Sequence, residues 1–162
     1  LIHSSELYRA LPMDVAHARE ICGWQYEPPY NIYGWLPWDQ LEALGVEFGD
    51  PKIREEQYVS VVNDQDVLCG FAQLFPVEPS VVRLGIGMRP DMCGQGTGHL
   101  FVGAIVQEAL RRYPDREIDL EVLTWNQRAI RAYQKGGFTI TDAYERQTPT
   151  GVKPFYCMVY QK

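Results

Sequence analysis

Val81-Val-Arg-Leu-Gly-Ile-Gly-Met88 mixes β-branched and apolar residues in the manner of a strand. Apolar Phe101, Ile105, Ala109 and Leu110 then recur at helical spacing, which predicts a helix from about Thr97 to Arg112. Between the two, Gly94, Gly96 and Gly98 alternate where the strand must turn into the helix. Glycines there let the backbone approach a ligand closely and leave N–H groups unobstructed. The first helical turn adds unpaired N–H groups and a positive dipole end. Together they make a candidate phosphate cradle.

The pattern elsewhere predicts an alternation of short strands and helices. Glu6–Leu11 reads as a first strand, and Pro12 with Asp14 marks a helix running to about Cys22. Trp24-Gln-Tyr-Glu-Pro-Pro-Tyr-Asn-Ile-Tyr-Gly-Trp35 is aromatic and broken by Pro28 and Pro29, so it is not an ordinary helix. Its rings either cover the core or line a substrate site, with Trp24, Tyr30, Tyr33 and Trp35 as the candidate substrate-binding residues. Pro37–Leu44 reads as a short helix. Tyr58–Val62 and Val67–Phe75 read as strands joined by the turn Asn63–Asp66 and ended by Pro76 and Pro79. Ile118, Leu120 and Val122 alternate with Asp119 and Glu121, as in a half-buried strand. Asn126 is a good N-cap for a helix carrying Ala129, Ile130 and Tyr133 and ending near Gly136-Gly137. Phe138–Asp142 and Pro154–Tyr160 supply the last strands, with Gln147–Gly151 as a turn.

At 162 residues the chain reads as a single domain over 1–162, large enough to build a core without metal or disulfide staples. Twenty-one acidic against fifteen basic residues give a net charge of -6, which argues against nucleic-acid binding. Cys22, Cys69, Cys93 and Cys157 are scattered, form no C-x-x-C pair and lack histidines at metal-site spacing, so no metal is expected. Free thiols in a reducing cytoplasm are the expectation, with no membrane association, since neither a signal peptide nor a long apolar span is legible. A start at Leu1 in place of Met leads us to expect further residues ahead of it.

Four readings of the glycine turn compete. A P-loop needs Lys and then Ser or Thr after its glycines, and Gly98 is followed by His99. A dinucleotide fold prefers G-x-G-x-x-G near the start of a domain, whereas here the glycines come late. Glu117 and Asp119 nevertheless fall about twenty residues downstream, where a ribose-binding carboxylate is usual. A tight turn without a ligand is the third. The fourth covers most of the chain. Around Cys93-x-x-Gly96-x-Gly98 and Asn126-x-x-Ala-Ile-x-x-Tyr133-x-x-x-Gly-Phe138, the sequence resembles the GNAT superfamily of acetyl-CoA-dependent acyltransferases. Leu120-Glu-Val122 with Asn126 and Tyr133 is nearest in motif to the branch that acetylates the N-terminal amine of ribosomal proteins.

The resemblance implies an α/β fold with a mixed, mostly antiparallel central sheet flanked by helices and splayed between its two central parallel strands. It implies acetyl-CoA as cofactor, with the pyrophosphate over the N–H groups of Cys93 to Gly98 and the pantetheine arm beside Gly85 to Met88. The cofactor-binding residues would be Ile86, Gly87, Met88, Cys93, Gly94, Gln95, Gly96, Thr97, Gly98, His99, Asn126 and Tyr133. The family usually carries Gln or Arg where this chain has Cys93. Tyr133 is the candidate acid toward the departing thiolate, against the alternative of a core tyrosine. Glu121 is the candidate base, usually through water in that branch. The alternatives are a carboxylate on the strand's polar side, or Glu78, Glu55 or a water chain as base. Asn126 caps its helix and orders the cofactor side. A backbone N–H at Met88 or Ile86 is the candidate oxyanion donor. Cys93 has no His and Asp or Asn to activate it, so direct attack in a ternary complex is expected over an acyl-enzyme.

The function expected is N-acetyl transfer to a primary amine, borne by a peptide, a protein terminus or a small molecule, from a monomer or homodimer. Its rivals are a non-catalytic acyl-CoA-binding or sensing domain and a structural or interaction protein.

Overall fold

In the computed structural model, which describes residues 7–162, the period-two segments become seven strands: β1 (Tyr8–Pro12), β2 (Tyr58–Asn63), β3 (Leu68–Val77), β4 (Val81–Met88), β5 (Glu117–Leu123), β6 (Phe138–Thr148) and β7 (Gly151–Tyr160). They form one sheet in the order β1-β2-β3-β4-β5-β7-β6. Every neighbouring pair is antiparallel except β4 and β5, which run parallel. The helices are α1 (Val15–Cys22), α2 (Trp38–Leu44), α3 (Pro51–Gln57), α4 (Gly98–Arg112) and α5 (Gln127–Lys135). This is the expected mixed, mostly antiparallel architecture. Among the described residues no helix is long and apolar enough to cross a membrane.

Because successive side chains of a strand point to opposite faces, the sheet builds two cores. Val59, Val61, Leu74, Leu84 and Leu120 pack with Phe101, Ile105 and Ile130 of α4 and α5. Tyr58, Leu68 and Phe71 pack with Ala18, Ile21, Trp38 and Leu41 of α1 and α2. A neighbouring side chain alters the reading of β5. Asp119, expected on a polar side, is 5% exposed. Arg83 of β4 grips it with a two-pronged fork, Nε to Oδ1 at 3.0 Å and Nη2 to Oδ2 at 2.9 Å. A buried carboxylate needs such a partner.

Other boundaries move for identifiable reasons. Pro12 belongs to β1, and the first helix begins only after Asp14, which accepts from the His17 amide at 2.8 Å. Glu6, the expected start of the first strand, lies outside the described residues. Pro76 does not end β3 but pairs with Val82. β2 reaches only Gln73, so beyond it one side of β3 asks for no ladder donor that a proline would lack. Helix α3 has no counterpart in the sequence expectations, although Asp50 caps it by accepting from the Lys52 and Ile53 amides and Pro51 fills its first position.

Candidate functional site

The parallel pairing of β4 with β5 runs from Val81↔Glu117 to Leu84↔Leu120 and stops there. β5 stays in register with β7 as far as Leu123↔Phe155, so its second half leaves with β7 and diverges from β4. A cleft of about 560 Å³ opens in the gap. One wall is Leu84 to Met88 and the other Leu120 to Leu123.

Backbone parity decides what β4 offers that cleft. The Arg89 amide donates to Cys69 O at 2.8 Å, and the β3–β4 register then continues without a shift. In an antiparallel ladder the hydrogen-bonded positions alternate. Gly85 and Gly87 therefore bond to β3, and the amides and carbonyls of Ile86 and Met88 point the other way, toward the departed β5. The Met88 carbonyl accepts from the Tyr26 hydroxyl at 2.6 Å.

The glycine turn follows a short 3-10 turn, Pro90–Met92. Gly94 and Gly96 hold φ of 76° and 80°, a left-handed conformation that glycine adopts without strain. The Cys93 amide bonds internally to Pro90 O at 3.3 Å, which removes it from the expected cradle. From Gly94 through His99 no amide has an acceptor among the described residues, and internal bonding resumes with Leu100 and Phe101 to Thr97 O. Successive free amides at the start of a 15-residue helix are a strong anion site. Tyr8, in β1, donates to Thr97 Oγ1 at 2.9 Å and ties the loop to the sheet.

Of the expected cofactor residues, Ile86, Gly87, Met88, Cys93, Gly94, Gly98, Asn126 and Tyr133 line the cleft. Gln95, Gly96, Thr97 and His99 do not, and what they present is the amide row. Burial pushes the Cys93 thiol up, which keeps it a thiol rather than a nucleophilic thiolate at neutral pH. Asn126 caps α5 through Ala129 N at 3.2 Å and donates from Nδ2 to the Tyr33 hydroxyl at 3.0 Å. The Tyr133 ring packs against Phe138 at 6.1 Å. Its hydroxyl has no hydrogen-bond partner among the described residues. Burial, with Tyr33 nearby, pushes the Tyr133 phenol well above its usual range, so it stays protonated.

Glu121 lines the cleft from β5, with its side chain 9% exposed. Both of its oxygens are engaged. Tyr144 donates to Oε2, Arg146 donates to Oε1, and Arg83 Nη1 stands 3.5 Å from Oε1. The other candidate bases, Glu55 and Glu78, do not line the cleft.

Trp24, Tyr30, Tyr33 and Trp35 all line the cleft. The loop is both cover and lining. Trp35 stacks edge-on against Phe48 at 4.5 Å in the second core, whereas Tyr26 and Tyr33 reach β4 and α5 through their hydroxyls. Sequence reasoning missed Tyr26, Arg128, Gln73 and Tyr8. Arg128 lies 3.8 Å over the Tyr30 ring and lines the cleft beside the cradle. No spacing in the sequence marks Arg128. The single signal available was a cation in the first turn of a capped helix, where the helix dipole disfavours one.

The acetyltransferase (GNAT) family model matches residues 17–138. No curated protein matches the chain. Among solved structures, a spermidine N-acetyltransferase SpeG chimera from Vibrio cholerae and hSSAT is similar at TM-score 0.74 and 17% identity, covering 95% of this chain and 94% of that one. The Vibrio cholerae spermidine N-acetyltransferase in complex with CoA and spermine is similar at TM-score 0.67 and 19% identity, covering 96% and 95%. A dodecameric structure of the Vibrio cholerae enzyme is similar at TM-score 0.65 and 20% identity, covering 96% and 93%. That dodecamer overturns the expectation of a monomer or homodimer. The expected nearness to the ribosomal-protein branch finds no counterpart among these structures, which are spermidine acetyltransferases.

Proposed function

The chain belongs to the acetyltransferase (GNAT) family and is an acetyl-CoA-dependent acetyltransferase; we propose that it acetylates a primary amine by direct attack, with amine and acetyl-CoA bound together. The observation that carries this reading is the row of free amides from Gly94 to His99 standing at the mouth of the cleft between β4 and β5. Those amides and the α4 dipole suit a pyrophosphate, with Arg128 as an added cation. The outward amides of Ile86 and Met88 and the Ile86 carbonyl suit the amide groups of a pantetheine arm, the Met88 carbonyl being taken by Tyr26. Acetyl-CoA supplies the thioester carbonyl.

Each residue then has a task set by its surroundings. The amine nitrogen bonds to the acetyl carbon as the carbon–sulfur bond breaks; the amine loses a proton, the released thiolate takes one from solvent, and the products are an N-acetyl amine and CoA thiol. The amide of Met88 or Ile86 donates to the carbonyl oxygen as charge builds there. Tyr133 points a protonated hydroxyl into the cleft without a competing partner. With its phenol pushed up by burial, it stabilises the departing sulfur chiefly by hydrogen bonding, because full transfer from so weak an acid is uphill. Glu121 takes the amine proton through water, since Tyr144 and Arg146 already occupy its oxygens. Asn126 orients Tyr33 and the start of α5.

Spermidine, the amine in the names of the similar structures, is one acceptor to test beside a peptide α-amine and a small aminated molecule. CoA release measured against such a panel tests the reading. Tyr133→Phe and Glu121→Gln should each lower kcat about hundredfold. Unchanged turnover in both variants would remove their roles and leave the family standing.

A further inference from the structure

Gln73 of β3 pairs with Gly85 of β4. On the other side of β4 the parallel register places Glu121 one residue beyond Leu84↔Leu120, level with Gly85. Leu74, Leu84 and Leu120 turn toward α4 and α5, so alternation puts Gln73, Gly85 and Glu121 together on the opposite face. That face is covered by the aromatic loop and the second core, where Trp24, Trp35 and Phe71 sit. A row of three strands thus carries two polar side chains with a bare glycine between them. Gln73 and Gly85 stand one strand spacing apart, about 4.8 Å, and Glu121 lies further off on the other side because β5 has begun to leave β4 there.

The gap is open. A Cβ at Gly85 would meet Gln73 Cβ at 3.6 Å and Gln73 Oε1 at 3.8 Å, with no other atom within 4 Å. Gln73 is also held in place, because its Nε2 donates to Gln57 Oε1 at 2.8 Å, which aims Oε1 over the glycine. That oxygen accepts no hydrogen bond among the described residues. All three residues line the cleft beside the end of β4, where the acetyl group belongs in the reading above.

Resting on that reading, we propose that the acceptor nitrogen sits over Gly85, donating to Gln73 Oε1 on one side and facing Glu121 on the other. We further infer that the acceptor is a monoamine on an apolar or aromatic body. Charge decides the second point. Among the described residues lining the cleft, Glu121 is the single carboxylate and Arg128 the single arginine or lysine. Behind Glu121 the charges already balance, with Asp119 and Glu121 against Arg83 and Arg146. A second ammonium on the same substrate would find no carboxylate and would lose its hydration against Trp24, Trp35 and Phe71. A single amino group fits. Its apolar surroundings favour the neutral form, which is the nucleophile, and Glu121 receives the proton through water. The rings supply the area that binds the rest of the molecule. Gln73 is a positioning residue here, and Gly85 is a specificity residue by its lack of a side chain.

The experiment compares phenethylamine, tryptamine and spermidine as acceptors for the parent protein, Gln73→Leu and Gly85→Ala, alongside calorimetric titration of each protein with CoA. The parent should use the two monoamines with kcat/KM at least about tenfold above spermidine. Gln73→Leu should raise the monoamine KM about tenfold with a smaller change in kcat, as expected for one lost hydrogen bond to a charged or reacting amine. Gly85→Ala adds a methyl at ordinary contact distance, so the fold tolerates it while the seat narrows, and KM should rise similarly. CoA affinity should not change in Gln73→Leu, whose side chain stands on β3, away from the cofactor strand. Unchanged monoamine KM in both variants would overturn the seat while leaving acetyl transfer intact. Preference for spermidine would overturn the monoamine assignment. No turnover with any amine would overturn the proposal together with the reading it rests on.

Discussion

Tyr8, in the first strand, donates its hydroxyl to Thr97 Oγ1 at 2.9 Å across 89 residues of sequence. Its ring also meets Phe101 edge-on at 5.7 Å. The cradle is therefore anchored from the far edge of the sheet, at the residue that opens α4.

Tyr8→Phe keeps the ring contact and deletes the tether. Stability should fall by about 1 kcal/mol, the usual worth of one such bond. The KM for acetyl-CoA should rise a few-fold while the amine KM holds. Urea unfolding and steady-state kinetics check both, and an unchanged acetyl-CoA KM would reduce Tyr8 to a core residue.

Burial pushes up the phenols of Tyr26, Tyr33, Tyr58 and Tyr133, with the Glu47 carboxylate adding to the effect at Tyr58. In the unfolded chain these groups ionise near pH 10. Above that pH the folded state holds more protons than the unfolded one, so stability falls as pH rises further; below it these groups contribute no slope. Urea midpoints should be insensitive to the tyrosines up to about pH 9 and drop beyond pH 10. By the same sign, a decline in kcat/KM below pH 10 belongs to another group. Tyr133→Phe should lower the whole profile without moving that limb.

Asp119 and Arg83 form a two-pronged pair across the parallel strands, with the carboxylate side chain 7% exposed. Asp119→Asn leaves Arg83 with half its partners and should cost about 3 kcal/mol, read as a lower urea midpoint. Because Arg83 also faces Glu121, the freed guanidinium should draw that carboxylate further from the cleft and lower kcat. A loss of stability with kcat intact would separate the pair from the chemistry.

The central frame was legible because it is local. A strand, alternating glycines and a helix lie within about thirty consecutive residues, and Asn126 caps its own helix three residues on. What escaped depends on distance or on a neighbouring strand. Asp119 obeys the alternation of β5, but Arg83 of the neighbouring strand folds over it, so its polar side met a guanidinium rather than water. The bonds from Tyr8 to Thr97 and from Tyr26 to Met88 join residues 89 and 62 apart and leave no periodic trace. Gln73 gains its place only from register, opposite a glycine on the next strand. Helix α3 is too short to show an apolar repeat, although its Asp50-Pro51 start was readable.

The main-chain grip on the cofactor is tested most directly by calorimetric titration of CoA into the parent protein and into Gly96→Val. Gly96 stands at φ 80°, where a β-branched residue is strained, so the substitution distorts the amide row without touching any side chain that lines the cleft. The parent should bind one CoA per chain, and Gly96→Val should weaken binding about tenfold, in line with the ~1–2 kcal/mol strain of the left-handed region. Absence of CoA binding by the folded parent, or equal affinity in the variant, would contradict it.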